Sequence, residues 1–300
     1  MILIISNNND GTTIQVMRWL SKINKEFICI REDSVFEVKA HNKRLYIESH
    51  NSQFFLDEIT SVWYRRGGLR FKRHQYENPS INMHMNEAQH WLEDYVIQTL
   101  ESKKHINKQS NSHVNKLLVL EQAQNVGLDV PEFYLAENTD NVILEKTITK
   151  SITGNVIIES LNKDLGGIMY TKVLETAEKE DFFITFFQEK IEKDFEIRSF
   201  YLDGKIFSMA IFSQNDDQTK TDFRKYNIEK PNRNVRYNLP EEIEEKIHML
   251  MQNLDLNCGS LDFMKSGNNY YFLEVNPIGQ FGNVSADCNY SLEKEIAEYL

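Results

Sequence analysis

Two carboxylates and a carboxamide near the end of the chain, Asp262, Glu274 and Asn276, are the side chains best suited to hold a divalent cation. They lie in GSLDFMKSGNNYYFLEVNP, two β-rich runs joined at Gly267-Asn268. A register symmetric about Asn268 sets Asp262 opposite Glu274. Period-two alternation puts Glu274 and Asn276 on one face. Opposed carboxylates repel and weaken a sheet, and a bound cation removes that penalty. Hard oxygen donors of this kind suit Mg²⁺, usually shared with substrate phosphates. A solvated strand face is the plainer alternative, but YYFLEV and GSLDFM are too apolar for a mainly exposed pair.

A metal site facing polyphosphate needs cationic helpers. Lys116 starts the helical run NKLLVLEQAQ, and Lys150 sits inside the apolar stretch ITKSI with Lys146 as its neighbouring rival. Arg198 in FEIRSF shares a strand face with Glu196. A cation on such a face normally has an anionic partner, although a lysine at a strand end can snorkel. FQEKIEKDFEIR has the layout of a nucleotide hinge, with the backbone of Gln188, Glu189, Lys190 and Ile191 free to meet an adenine edge. A charged surface loop fits that segment equally well. Gly166-Gly167 is a candidate phosphate-covering loop, and there is no GxGxxG and no Walker A motif.

Other chemistry-bearing residues organise less well. WYRRGGLRFKR is the densest basic run, with Arg65, Arg66, Arg70, Lys72 and Arg73. It suits either an acidic ligand or the neutralisation of nearby acids. His84, His90 and His105 have no ligand spacing and read as surface or packing residues. No Ser-His-Asp or Cys-His arrangement stands out. Trp91 and Tyr95 are one helical turn apart, a spacing expected of core packing.

The elements that must position these groups can be read from periodicity. MILIIS, a polar loop and IQVMRWLSKIN give strand, loop and helix, and FICI and ITSVWY read as further strands. FEVKAHNKRLYIES reads as a hairpin turning at His41-Asn42, and residues 83–104 as a helix. The polar stretch HINKQSNSH marks a boundary. A helix from about His113 follows, then β-rich segments and the apolar run DFFITFFQEKI. A hairpin turns at Asp203-Gly204, and a helix opens with LPEE. SLEKEIAEYL closes the chain as a helix. The expected organisation is a small α/β domain over 1–108 and a larger α+β domain over 109–300.

At 300 residues there is room for two domains and a sizeable core. A net charge of −11 argues against a nucleic-acid binder. Three scattered cysteines give no disulfide framework and no zinc motif, which points to the reducing cytoplasm. No apolar run approaches the roughly 20 residues of a membrane helix.

Helix lysine, strand lysine, hinge, E-x-R and then Asp…E-x-N-P is an order that resembles the ATP-grasp superfamily, over roughly residues 110–300. The preceding α/β unit is similar to the pre-ATP-grasp domain, and 109–300 would divide into central and C-terminal subdomains. Within the superfamily, the branch of ribosomal-protein glutamate ligases and graspetide (microviridin-type) peptide cyclases looks nearest. VNKLLVLEQAQNVGLDVPEFYL, TDFRKYN, NCGSLDF and FLEVNPIGQFG resemble the grasp-with-spasm maturases.

The resemblance implies that Lys116, Lys150 and Arg198 meet ATP phosphates. Gln188 to Ile191 would hold adenine, with Glu196 near the ribose side. Asp262, Glu274 and Asn276 would bind two Mg²⁺ ions. Arg224 would sit near the substrate carboxylate, and Arg198, Arg224 and Lys150 would serve catalysis; Arg65, from the basic run, is a further candidate substrate contact. The implied activity is ATP-dependent phosphorylation of Asp or Glu side chains in a ribosomal precursor peptide, followed by ester or amide ring closure. A leader segment would dock on the enzyme, and the protein would be a homodimer. The alternatives are a ligase joining separate molecules, of the ribosomal-protein glutamate type, and a catalytically silent nucleotide-binding scaffold.

Overall fold

A computed structural model describes residues 1–7, 9–111, 113–152, 157–162, 165–168, 171–174, 181–214, 229 and 231–300. The chain falls into two compact units. The first gathers Met1–Ser112, Asp255–Cys258 and Ser291–Leu300, and the second His113–Leu254 and Gly259–Tyr290.

In the first unit, β1 (Ile2–Ser6), α1 (Gly11–Lys22) and β2 (Phe27–Arg31) are followed by β3 (Val35–His41), β4 (Arg44–Glu48) and β5 (Gln53–Phe55). Then come β6 (Ser61–Tyr64), β7 (Arg70–Phe71), α2 (Pro79–Glu101) and β8 (Lys104–Ile106). One sheet has the order β2-β1-β6-β8, all parallel. Every residue of β1 and β6 is buried, as expected of strands covered on both faces. The β3–β4 hairpin turns at Asn42 and Lys43, with φ of 49° and 65°. That is one residue beyond the expected turn. Adjacent left-handed residues match the twist of a two-residue hairpin.

Leu3, Ile5, Val62, Tyr64, Val96 and Leu100 lie in one core. The C-terminal helix (Leu292–Tyr299) packs against α1, and Lys25 Nζ donates to its last carbonyls, Ala297 O and Glu298 O, at 3.1 and 3.0 Å. Trp91 and Tyr95, expected inside, point outward from α2 with 62% and 56% of their surface exposed. Burial on that helix falls to Val96 and Leu100 instead.

The second unit opens with α3 (Lys116–Asn125), capped by Asn115, whose side chain accepts from Leu117 N and Leu118 N. β9 (Phe133–Asn138), β10 (Thr147–Thr149), β11 (Ile157–Asn162), β12 (Leu165–Ile168), β13 (Lys172–Val173) and β14 (Asp181–Glu189) follow. The sheet order is β13-β10-β14-β9, with β11 and β12 as a separate antiparallel pair that contains Gly166 and Gly167.

β15 (Phe195–Leu202), β16 (Lys205–Phe212), β17 (Arg233–Tyr237), α4 (Glu241–Asn253), β18 (Cys258–Ser266), β19 (Asn269–Asn276) and α5 (Gly282–Cys288) complete it. Their five strands form a sheet of order β17-β16-β15-β18-β19. The β15–β16 turn is at Asp203-Gly204, where φ is 47° and 89°. α3 packs on β19, which brings the start of that helix towards the carboxylate hairpin.

Candidate functional site

The β18–β19 hairpin carries an irregularity that its sequence hides. From the turn, Ser266 pairs with Asn269 and Phe263 with Phe272, a register that would set Asp262 against Leu273. The ladder shifts between Asp262 and Phe263, and Leu273 is the extra residue. Asp262 therefore faces Glu274 and Ser260 faces Asn276. The same slip lets Phe272 and Val275, an odd number of positions apart, both be buried. Glu274 is thereby placed on the side away from the apolar pack. The opposition anticipated from the sequence is present, and a bulge produces it.

Cations from two other elements meet these carboxylates. Lys116, the first residue of α3, lies 3.1 Å from Glu274 Oε2 through Nζ. Arg198 on β15 reaches Asp262, with Nη1 3.7 Å from Oδ1. All four side chains are between 14% and 28% exposed, so the cluster borders solvent. The buried Arg198 Nε has no hydrogen-bond partner among the described residues. A guanidinium carries five donors, and this one keeps capacity for an anion. Asn276 is used locally, its Oδ1 accepting from Ile278 N at 3.1 Å in the turn after β19.

On β14, Gln188 is fully buried, and neither its Oε1 nor its Nε2 has a partner among the described residues. A buried carboxamide in that state costs roughly 1–3 kcal/mol per orphaned group and suits a ligand bearing both donor and acceptor edges. The Glu189 and Lys190 amides are committed, donating to Glu132 O and Lys146 O at 2.8 Å each. A base held along this edge would therefore meet carbonyls, Ile191 or the Gln188 side chain. Lys150 follows β10 directly, its Nζ 5.9 Å from the centre of the Phe186 ring. Glu196 is buried and ion-paired with Lys193, and Ser213 Oγ donates to it at 3.5 Å. Sequence reasoning misses Lys193, although a lysine three residues before an inward-facing Glu is the signal that could have found it. Arg224 lies outside the described residues.

Arg65 is in the first unit, at the end of β6, and points inward at 3% exposure. Its Nε donates to Asp10 Oδ2 at 3.0 Å and its Nη2 to Thr12 Oγ1 at 3.0 Å. Arg66 also reaches Asp10, at 3.3 Å. Burial pushes the Asp10 carboxyl up, but the Thr12 hydroxyl, Arg65, the Thr13 amide and Arg66 outweigh it and hold the pKa low.

The residues around β18–β19 fit a hard divalent cation with polyphosphate: two facing carboxylates, an amide beside them and cations from separate elements. No group of three His, Cys, Asp or Glu side chains arranged for a metal occurs among the described residues, so a metal here would draw further ligands from Asn276, water or substrate. No described helix is long and apolar enough to cross a membrane.

A family model described as a RimK-like ATP-grasp domain matches residues 112–300. Among solved structures, the chain is similar to the macrocyclase MdnC bound with precursor peptide MdnA from Microcystis aeruginosa MRC. The two share 23% identity over 100% of this chain and 99% of that one, with a TM-score of 0.75. A Chryseobacterium gregarium RiPP-associated ATP-grasp ligase, in complex with ADP and a leader and core peptide, gives 23% identity, 99% and 94% coverage and a TM-score of 0.76. The ATP-grasp ligase PsnB, complexed with a phosphomimetic variant of a minimal precursor, Mg and ADP, gives 15%, 99%, 96% and 0.70. At these identities the likeness is one of fold, and the fold is ATP-grasp. No curated protein matches the chain by sequence.

Proposed function

Since the chain belongs to the RimK-like ATP-grasp family, we propose that it is an ATP-dependent ligase that crosslinks a ribosomal precursor peptide through its own side chains. Asp or Glu carboxylates would be phosphorylated. Ser or Thr hydroxyls, or a Lys amine, would then close ester or amide rings. The observation that carries this reading is the arrangement at β18–β19: Asp262 opposite Glu274, each met by a cation from a different element. Three neighbours of the same fold, each bound to a precursor or to leader and core peptides, support the choice of a peptide substrate.

In this reading Asp262, Glu274 and Asn276 hold Mg²⁺, with two ions expected, and Gln188 to Ile191 hold the adenine. When bound, the metal neutralises phosphate charge and acts as a Lewis acid on the transferring group. Lys116, Lys150 and Arg198 hold the phosphates in line and offset the charge that develops as the terminal phosphoryl group leaves ADP. A carboxylate oxygen of the substrate forms the new bond to phosphorus, and ADP departs. The hydroxyl or amine then attacks the acyl carbon, loses its proton and expels inorganic phosphate. No nucleophile from the enzyme is needed. Holding acid, phosphate and nucleophile together lowers the entropic barrier, by up to about 7–11 kcal/mol in ideal cases. Glu196 and Arg224 beside the substrate carboxylate belong to the same proposal, as does a homodimeric, cytoplasmic enzyme. Docking of a leader segment would keep the core peptide at high local concentration through successive closures.

Co-expression with a candidate precursor followed by mass spectrometry tests the reading. Loss of one water per crosslink, dependent on ATP and Mg²⁺, is the expected result. A mass gain on the peptide would point to joining of separate molecules, and ATP consumption absent with every peptide and acid supplied would leave a nucleotide-binding scaffold.

A further inference from the structure

Between the hinge at 188–191 and β15, the run KIEKD carries two lysines that are used in opposite ways. Lys190 pairs outward with the exposed Glu192 at 3.0 Å. Lys193 turns inward to Glu196, and the two side chains are only 4% and 7% exposed. The backbone on both sides of Lys193 is tied to the end of the β18–β19 hairpin. Ser266 Oγ donates to Glu192 O at 2.7 Å. Asp194 N donates to Lys265 O at 2.7 Å, and Asp194 Oδ2 accepts from Gly267 N at 2.9 Å. A lysine stem is long and flexible, so fixing both neighbours narrows where its ammonium can reach.

Stability alone does not call for such a pair. Burying two charges costs desolvation that their attraction barely returns, and apolar residues of like volume hold a fold as well or better. The place of the pair supplies a use. Glu196 and Arg198 are two residues apart on β15, paired with Ile211 and Met209 of β16, and so share a face. On that face Arg198 meets Asp262. The two positions are about 7 Å apart along the strand, so one nucleotide spans both. Ser213, directly after β16, donates to the Glu196 oxygen that Lys193 does not hold, at 3.5 Å.

We propose that Lys193 is a positioning residue for the sugar of the nucleotide: it holds Glu196 as an anion, in one orientation, towards the vicinal hydroxyls of the ribose. The inference rests on the ATP site proposed above and adds the residue that makes its sugar end selective. An ionised carboxylate only accepts, and a hydroxyl bond to it is charge-assisted. Without Lys193 the buried acid takes up a proton, and one of its oxygens becomes a donor. Lys193 itself touches no reacting atom. It acts on the nucleotide through Glu196.

Calorimetry on the full chain with Mg²⁺ and ADP, 2′-deoxy-ADP or 3′-deoxy-ADP tests this without turnover and without a peptide. The wild type should bind ADP at least about 10-fold more tightly than either deoxy analogue. Lys193→Met, neutral and close to lysine in length, should bring that ratio to within about 2-fold of one, as should Glu196→Gln. A general loosening of the fold, or a lost contact to phosphate, weakens all three ligands alike and leaves the ratio standing. The double variant carries neither charge, so it folds even where Lys193→Met alone does not. It should bind ADP as Glu196→Gln does, within about 2-fold. An unchanged ratio in Lys193→Met overturns the inference, and so does a further loss when Lys193→Met is added to Glu196→Gln. A wild type that binds ADP and both deoxy analogues equally overturns it while leaving the ATP site in place. A wild type that binds none of the three overturns the ATP site and the inference together.

Discussion

The carboxylate hairpin of the second unit and the basic run of the first are both charge clusters set beside apolar strands, and they are built in opposite ways. In the basic run four of the five cations are consumed locally. Arg65 and Arg66 converge on Asp10, Lys72 pairs with Glu37 at 2.9 Å, and Arg73 pairs with Glu93 at 2.7 Å. At the hairpin, two acids face each other across the ladder and are met by cations from α3 and β15. The buried Nε of Arg198, which reaches Asp262 through Nη1, has no hydrogen-bond partner among the described residues. A cluster whose members satisfy one another is a structural joint. One that leaves buried donors unmet awaits a ligand. Density of charge in the sequence does not separate the two; partner accounting does.

The sharpest way to break that contrast is at the hairpin. Glu274→Gln keeps the volume and removes the charge. Mg²⁺-dependent ADP release should fall by about 10³-fold or more, while the melting temperature stays within a few degrees of wild type, because the residue borders solvent. Turnover near the wild-type rate would mean that Glu274 is one of the joint-like charges and that the metal assignment is wrong.

The converse holds for Arg65→Ala. Removing it leaves Asp10 buried at 5% side-chain exposure, with Arg66 as its remaining ion-pair partner among the described residues. Stability should drop by about 3–5 kcal/mol, read as a shift of the urea midpoint. If Arg65→Ala instead leaves stability unchanged and raises the KM for peptide, Arg65 contacts substrate, the acidic-ligand reading of the basic run, and the comparison between the regions fails there.

A weaker member of the basic run sharpens it further. Lys72 and Glu37 are largely solvent-facing, and exposed pairs of this kind contribute little. Lys72→Ala should change neither the urea midpoint nor turnover measurably. A loss of peptide affinity in that variant would move this end of the run from joint to binding surface.

How much of this is legible in the sequence follows from the range of each interaction. The Asp262–Glu274 opposition is a hairpin property, set by a turn a few residues away, and counting outward from that turn is enough. The bulge at Leu273 escapes such counting, yet FLEV already encodes it, since Phe272 and Val275 cannot share a face of a regular strand. Lys116 and Arg198 are recognisable as cations seeking an anion. Their particular partners depend on which strands lie side by side, which periodicity does not specify. Arg65 is harder, because Asp10 is distant in sequence and joins it only where β1 and β6 pair. Lys104–Ile106 overlaps a stretch that reads as a polar break. A three-residue strand is too short to show alternation. Trp91 and Tyr95 carry a correct helical spacing and suggest the wrong surroundings. Spacing shows that two residues share a face, not whether that face meets the chain's own core.

The smallest effect to be expected comes from Asp10 itself. Its carboxyl is held below the ordinary range despite burial. A group with a depressed folded pKa contributes stability that is complete above its unfolded value, near 3.9, and is lost as pH falls through the folded one. Glu37 is depressed as well, by its hydrogen bond from Lys72, but that pair is exposed and salt screens it. Unfolding free energy measured between about pH 5 and pH 2 in high salt should therefore keep a downward slope on acidification. Asp10→Asn should flatten that slope, whatever the variant loses in absolute stability. If wild type and Asp10→Asn run parallel in high salt, Asp10 binds protons equally in the folded and unfolded chain, its carboxyl is not held below the ordinary range, and its charge adds no stability to the joint in the first unit.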